Sequence, residues 1–315
     1  MSIQQLLQIV PHAVASSLAD VEYLLKGDNL NPRINNLLNS TVLLGGKRLR
    51  PMLTVLMGDF FGLPHDVITP YARDIERIHA ATLAHDDVVD EADTRRGLPS
   101  INVMASNKKA ILAGDYLLAH VLYEVASRGD NRVVQGLSEV IAELVEGEWL
   151  QIENLKKADL TRHDVELVAL KKTGSVIRWC CAAPALISNA SGEIVGLARA
   201  MGEKLGIAFQ LGDDILDFTR TDGAACADLR TGVVSSVIFE LGVLDTRYKG
   251  DGVVEIESED LQEAIRIVRQ RMESLIQEAK DHLHKIHESL DGKSSSGEGT
   301  YLAISALIDY LLVRV

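Results

Sequence analysis

Aromatic residues make up only 4% of this 315-residue chain, and it holds just 7 prolines. Sandwiches and barrels draw on aromatic and β-branched strands closed by frequent turns, so this composition disfavours them and favours helices. Basic residues are also short, with 32 Lys and Arg against 45 Asp and Glu and a net charge of −13. That excludes a general nucleic-acid binder, which needs a basic face, and loose adhesion to an anionic lipid surface. Three cysteines, Cys180, Cys181 and Cys226, support neither a disulfide framework nor a zinc site, and fit a reducing compartment. No apolar run reaches the length of a membrane span, and Met1 to Val10 lacks the basic start and apolar core of a signal peptide. The expectation is a cytoplasmic protein without a transmembrane segment, built as one large domain over residues 1–315 because no linker divides it.

What the chain does have is apolar residues at helical period. Ile3 to Lys26 reads as one helix, and Asn31-Pro32 opens a second that closes at Gly45-Gly46. Pro51 suits the first turn of a third, running to about Phe61. A long helix follows from about Asp66 to Asp90, and then a basic turn from Thr94 to Pro99. Further helices are predicted over Lys108–Arg128, Asn131–Leu155 and Asp164–Asn189, the last entered through a Thr161/Asp164 capping box, and over Glu193–Phe218. The pattern weakens from Thr219 to Ser258, then resumes from Leu261 to Leu290 and from Tyr301 to Val313. The fold class is all-α, a single large helical bundle.

Two stretches stand out against this background. In Leu83-Ala84-His85-Asp86-Asp87-Val88-Val89-Asp90, three aspartates interrupt an apolar run, and Asp86 and Asp90 share a helical face one turn apart. The spacing returns in Asp213-Asp214-Ile215-Leu216-Asp217 behind another apolar lead. One such motif on an exposed helix end is usually a solvated acidic patch. Two, each embedded in an apolar helix, point to a shared cation cluster, because clustered carboxylates in apolar surroundings are costly unless something positive holds them. The first also sits at the C-terminal, negative end of its helix dipole. All-oxygen ligands favour Mg²⁺, which keeps waters and is commonly completed by substrate phosphates.

The cations fit that reading. They cluster at Lys47-Arg48-Leu49-Arg50, Arg95-Arg96, Lys108-Lys109 and Lys171-Lys172. Ordinary surface lysines account for Lys108-Lys109. Gly45-Gly46, Pro51 and Gly97 instead present the first two clusters at helix ends, where an arginine fork matches phosphate oxygens. His79 lies seven residues before Asp86, on nearly the same face; a lone helix histidine is usually structural, but this stripe makes it a candidate phosphate contact.

Taken in order, Gly45-Gly46-Lys47-Arg48-Leu49-Arg50-Pro51, the stretch from His79 to Glu91, Arg95-Arg96-Gly97, Ala113-Gly114-Asp115, Lys172-Thr173-Gly174 and the stretch from Phe209 to Asp217 resemble the trans-isoprenyl diphosphate synthases, most of all the long-chain members. The resemblance implies an all-α bundle around a deep central cavity, usually a homodimer. It implies that Asp86, Asp90 and Asp213 ligate Mg²⁺, three ions with diphosphate bound, with Asp87, Asp214 and Asp217 in support. Arg95 and Lys172 would contact the diphosphate of an allylic substrate such as geranyl, farnesyl or geranylgeranyl diphosphate. Lys47, Arg50, His79 and Arg96 would bind isopentenyl diphosphate, and Thr173 and Gln210 would line the path of the allylic cation. Ala81, five residues before Asp86, stands where the family helps set product length, and its small size implies a long product.

The chain departs from the family after Asp217. Where two further lysines are usual it reads Phe218 to Ser236, with one lysine falling in an apparent short deletion and Val233 in place of the other. Either Arg220 or Arg230 replaces the missing charge in an active enzyme, or the chain is a low-activity or partner subunit of a heteromer. A terpene cyclase is a third reading, disfavoured because a cyclase has no second diphosphate for Lys47, Arg50 and Arg96 to hold.

Overall fold

The computed structural model describes residues 3–26, 30–157, 159–219, 233–244, 256, 258–290 and 297–313. Most of these are helical. The elements in chain order are α1 (Ile3–Ile9), α2 (His12–Lys26), α3 (Pro32–Asn39), α4 (Leu49–Phe60), α5 (His65–Val89), β1 (Thr94–Arg95), β2 (Leu98–Pro99), α6 (Ile101–Met104), α7 (Asn107–Ser127), α8 (Asn131–Asn154) and α9 (Arg162–Ala169). A π-helical turn, Leu170–Gly174, leads into α10 (Ser175–Ile187), followed by α11 (Gly192–Thr219), α12 (Ser236–Leu244), α13 (Ser258–Leu290) and α14 (Gly297–Val313). Among the described residues no helix is long and apolar enough to cross a membrane.

Two helices organise the bundle. One is α5, packed on α2, α4 and α7; the other is α11, packed on α10 and α13. Their inner faces follow helical spacing: Ile75, Ile78, Ala81 and Ala84 on α5, and Leu205, Ala208, Leu211 and Ile215 on α11, are all buried. The aspartate motifs lie at the C-terminal ends of these two helices.

Several expected boundaries move for local reasons. The helix expected from Ile3 to Lys26 breaks between Ile9 and His12, where Pro11 brings no N–H and biases Val10 away from helical torsions. The helix expected to reach Gly45-Gly46 stops at Asn39, because the Ser40 and Thr41 hydroxyls both donate to the Leu37 carbonyl, at 3.0 and 2.7 Å. The 164–189 helix begins with the expected Thr161/Asp164 capping box but widens into the π turn at Leu170–Gly174. Within the weak 219–258 stretch, residues 236–244 form α12. Two-residue strands β1 and β2 pair antiparallel across the Arg96-Gly97 turn.

Candidate active site

At the end of α5 the three aspartates divide. Asp86 is half-buried, and Asp90 is exposed as the helix C-cap. Burial pushes the Asp86 carboxyl up to about 6; Lys172 opposes the shift, while Glu148 and Asp90 add to it. Asp90 is raised as well, by burial and then by Glu148. Both carboxylates are thus held partly out of water with a further carboxylate nearby, a cost that a divalent cation would relieve. Among the described residues no three ligating side chains already surround one point.

Asp87 differs. It is fully buried, accepts from Arg95 Nε and Nη2 at 2.6 Å each, and lies 3.4 Å from the Ile101 N–H that donates to it. It therefore ties the β1–β2 hairpin and the start of α6 back to α5. His85 packs on α7 at Gly114, where a Cβ would fall 2.3 Å from the imidazole Nε2, and sits 3.4 Å from Asp115.

The second motif repeats this division. Asp213 and Asp217 are half-buried, four residues apart on α11. Asp214 is buried, and accepts from Gln210 Nε2 at 2.9 Å, the Ser236 N–H at 2.9 Å and Ser236 Oγ at 2.6 Å. Burial still holds its carboxyl above the usual range, with these bonds opposing. Asp87 and Asp214 occupy the same place in their motifs and do the same work, each an inward carboxylate anchoring the segment that follows.

The π turn stands between the motifs. Lys172 Nζ contacts Glu148 Oε2 at 2.5 Å and Gln151 Oε1 at 3.0 Å on α8, and its charge acts on Asp86 and Asp90. The next residue looks the other way: Thr173 Oγ1 donates to Gln210 Oε1 at 2.8 Å, and Gln210 in turn donates to Asp214. An inserted π residue is common at functional sites, and here it lets consecutive side chains serve the two helices.

A basic cradle flanks the first motif. Gly45 and Gly46 have φ of 69° and 102°, and a Cβ on Gly46 would meet Arg96 Nη2 at 3.3 Å, so glycine both permits the turn and leaves room for the guanidinium. Arg96 donates to the Leu44 carbonyl. Burial, and then Arg50, Arg96, Arg95 and Arg48, hold His79 well below the ordinary imidazole range, so it is a neutral group among cations. Arg50 stacks 5.8 Å from the Phe209 ring, and its buried Nε has no hydrogen-bond partner among the described residues. A buried charged donor without an acceptor is costly, and an anion in the cradle would satisfy it. Lys47 Nζ meets Tyr310 Oη at 2.9 Å. Arg48 instead turns inward to Glu22, Glu76 and the Leu43 carbonyl.

Sequence reasoning passed over Glu148, Gln151, Ser236 and Tyr310. Glu148 and Gln151 share a face of α8 beside Gly147, whose Cβ would meet Lys172 Cγ at 2.8 Å, so the i,i+3 pair after a helix glycine was the available signal. Ser236 and Tyr310 carried none. Ala81 is fully buried. Arg220 and Arg230, read as replacements for the absent lysines, lie outside the described residues; Val233 is half-buried just ahead of α12.

The whole chain superposes on a decaprenyl diphosphate synthase from Rhodobacter capsulatus with a TM-score of 0.81 at 28% identity, covering 100% of this chain and 99% of that one. The all-α fold is thus that of the polyprenyl synthases. Residues 31–268 match the polyprenyl synthetase family model, and the chain belongs to that family, whose members are prenyltransferases. It is 33% identical over 288 residues to a prenyl transferase of Synechocystis sp., covering 86% of each chain. It is 31% identical over 320 residues to decaprenyl-diphosphate synthase subunit 1 of Schizosaccharomyces pombe, covering 84% of this chain and 83% of that one.

Proposed function

We propose that this chain joins isopentenyl diphosphate to an allylic diphosphate, geranyl, farnesyl or geranylgeranyl, and releases a longer polyprenyl diphosphate in a Mg²⁺-dependent reaction. The observation that carries this reading is the turn at Lys172-Thr173, which links the two aspartate helices, Lys172 acting on Asp86 while Thr173 reaches Asp214 through Gln210. Asp86, Asp90 and Asp213, with Asp217 beside them, would hold the metal. Bound Mg²⁺ supplies Lewis-acid stabilisation of the departing diphosphate. Lys172 and Arg95 add positive charge on the same side. Lys47, Arg50, Arg96 and His79 orient the isopentenyl diphosphate, the neutral imidazole donating a hydrogen bond without adding charge. Thr173 and Gln210 would line the path of the allylic cation, and the apolar interior would keep water from it.

The test is incubation of the purified chain with Mg²⁺, isopentenyl diphosphate and each allylic primer. Elongated product that disappears with a chelator is expected; no elongated product from any primer contradicts the proposal. Arg50→Ala should raise KM for isopentenyl diphosphate by roughly 10- to 100-fold, the value of about 1.5–3 kcal/mol for a charge-assisted hydrogen bond, with KM for the allylic substrate little changed. Equal effects on both substrates would remove Arg50 from the isopentenyl site.

We further propose that the chain is one domain acting as a homodimer. Leu112 and Tyr123 on α7, and Val145, Trp149 and Ile152 on α8, are exposed apolar side chains at helical spacing, the kind of stripe that a second subunit covers. Light scattering should give twice the 34.4 kDa chain mass; a monomer at micromolar concentration contradicts this. The partner-subunit reading draws on the Schizosaccharomyces pombe relative, itself named a subunit; activity of the chain alone decides against it. Cys180 and Cys181 are adjacent, buried free thiols, in keeping with a reducing setting such as the cytoplasm.

A further inference from the structure

The last helix, α14, packs along α4, and polar contacts pin it at both ends. At one end Thr300, a buried residue, donates from Oγ1 to Asp59 Oδ2 near the close of α4. The other oxygen of that carboxylate lies 3.2 Å from His65 Nε2. At the far end Lys47 Nζ, just ahead of α4, donates to Tyr310 Oη at 2.9 Å. The two helices therefore run antiparallel and in step, since Thr300 to Tyr310 and Leu49 to Asp59 each span about 15 Å of helix. Thr300, Ala303, Leu307 and Tyr310 form one buried row at spacings of three and four, so packing fixes where the Tyr310 ring stands. Lys280 Nζ on α13 holds the neighbouring Asp309 at 2.5 Å.

What this does to Lys47 is plain beside Arg48. Two carboxylates, Glu22 and Glu76, meet the charge of Arg48. Lys47 is exposed, and its partner is a neutral hydroxyl, with the Tyr310 ring centroid 5.5 Å from Nζ. The contact thus fixes the position of the ammonium and leaves its charge. An ammonium has three donors; one goes to Tyr310 Oη, and among the described residues nothing else claims the other two. A free surface lysine samples many rotamers, and an anion that binds it must remove that freedom. Tyr310, only 4% exposed, removes it in advance.

We propose that Tyr310 is a positioning residue for isopentenyl diphosphate: it holds the Lys47 ammonium where the diphosphate docks, so that α14 completes the basic cradle. The inference rests on the prenyl-transfer reading of the site. Tyr310 acts through Lys47 and need not touch the substrate.

Tyr310→Phe keeps the ring and its packing and removes only the hydroxyl. The exposed Lys47 turns to water, no buried group is left unmet, and Tm should stay within about 2 °C. The measurement is calorimetric binding of isopentenyl diphosphate to the purified full chain and its variants, without allylic substrate. Kd should rise at least about threefold in Tyr310→Phe, in line with the ordering cost of one rotamer-rich side chain. Kd for farnesyl diphosphate, measured with Mg²⁺, should change by less than about twofold. In a Lys47→Met background the same substitution should change the isopentenyl diphosphate Kd by less than about twofold, because its effect runs through the ammonium. A smaller rise, an equal rise with and without Lys47, or an equal loss for both diphosphates overturns the proposal and leaves Oη a satisfied core hydroxyl. A chain that binds isopentenyl diphosphate but makes no elongated product contradicts the prenyl-transfer reading and leaves this binding test standing. A chain that binds none contradicts both.

Discussion

Asp86→Ala should lower kcat by about a thousandfold or more and leave the fold intact, whereas Asp87→Ala, one residue away, should act mainly by destabilising the fold. The two carboxylates are neighbours in sequence and differ in what they touch. Asp86 is half-buried beside Glu148 and Asp90, and burial, with those two carboxylates adding to it, raises its pKa to about 6. Removing it relieves repulsion in the metal-free protein, so stability should hold or rise. What disappears is the proposed metal ligand, and with it about 4 kcal/mol of transition-state stabilisation, the equivalent of a thousandfold in rate. Asp87 is fully buried and is the acceptor for Arg95 and the Ile101 N–H. Its loss strands a guanidinium that is itself 26% exposed, so the cost should fall near the lower end of the roughly 3–5 kcal/mol seen when one partner of a buried pair is removed. Steady-state kinetics and thermal melts on both variants check this. Near-normal turnover in Asp86→Ala, or an undiminished Tm in Asp87→Ala, would reverse the assignment.

Gly206→Ala should be nearly as damaging, through a single methyl group. A Cβ at Gly206 would fall 2.2 Å from Gly174 Cα and 2.8 Å from Gly174 N. Both are backbone atoms, so no side chain can swing aside, and α11 must part from the π turn. Overpacking of this kind costs about 1–3 kcal/mol, and the rigidity of both partners places it at the top of that range. The displaced turn carries Lys172 and Thr173, and a shift of about 1 Å in a positioning element can cost a hundredfold in rate. Both Tm and kcat should therefore fall together. Gly196→Ala on the same helix is the control: nothing lies within 4 Å of its added Cβ, and the helix gains up to about 1 kcal/mol in propensity. A Gly206→Ala variant that behaves like Gly196→Ala would mean that α11 and the turn are less tightly seated than the backbone distances indicate.

The i,i+4 carboxylate pairs, the long apolar-faced helices carrying them and the Thr161/Asp164 cap were all legible in the sequence, because each is set by local spacing. The division of labour within each motif was not. Asp86 and Asp87 look alike in a string, and only the hairpin folding back onto α5 makes one inward and the other outward. Arg48 and Arg50 pose the same difficulty: Glu22 and Glu76, brought in from two other helices, claim the first, while the second keeps a buried donor unmet among the described residues. The π turn was hidden because the contact that seats it, Gly206 against Gly174, joins residues 32 positions apart. Ser236 was hidden because its partner Asp214 acts across 22 residues, most of which lie outside the described structure.

The central claim is that the outward carboxylates of the two motifs hold the metal while the inward ones hold the fold. A crystal structure of the chain with Mg²⁺ and an unreactive thio-diphosphate analogue of the allylic substrate tests it most directly. The account predicts Mg²⁺ on Asp86 and Asp90 on one side of the diphosphate and on Asp213 on the other, with Asp87 still on Arg95 and Asp214 still on Ser236. Metal ligated by Asp87 or Asp214, or a diphosphate bound away from both motifs, would contradict it.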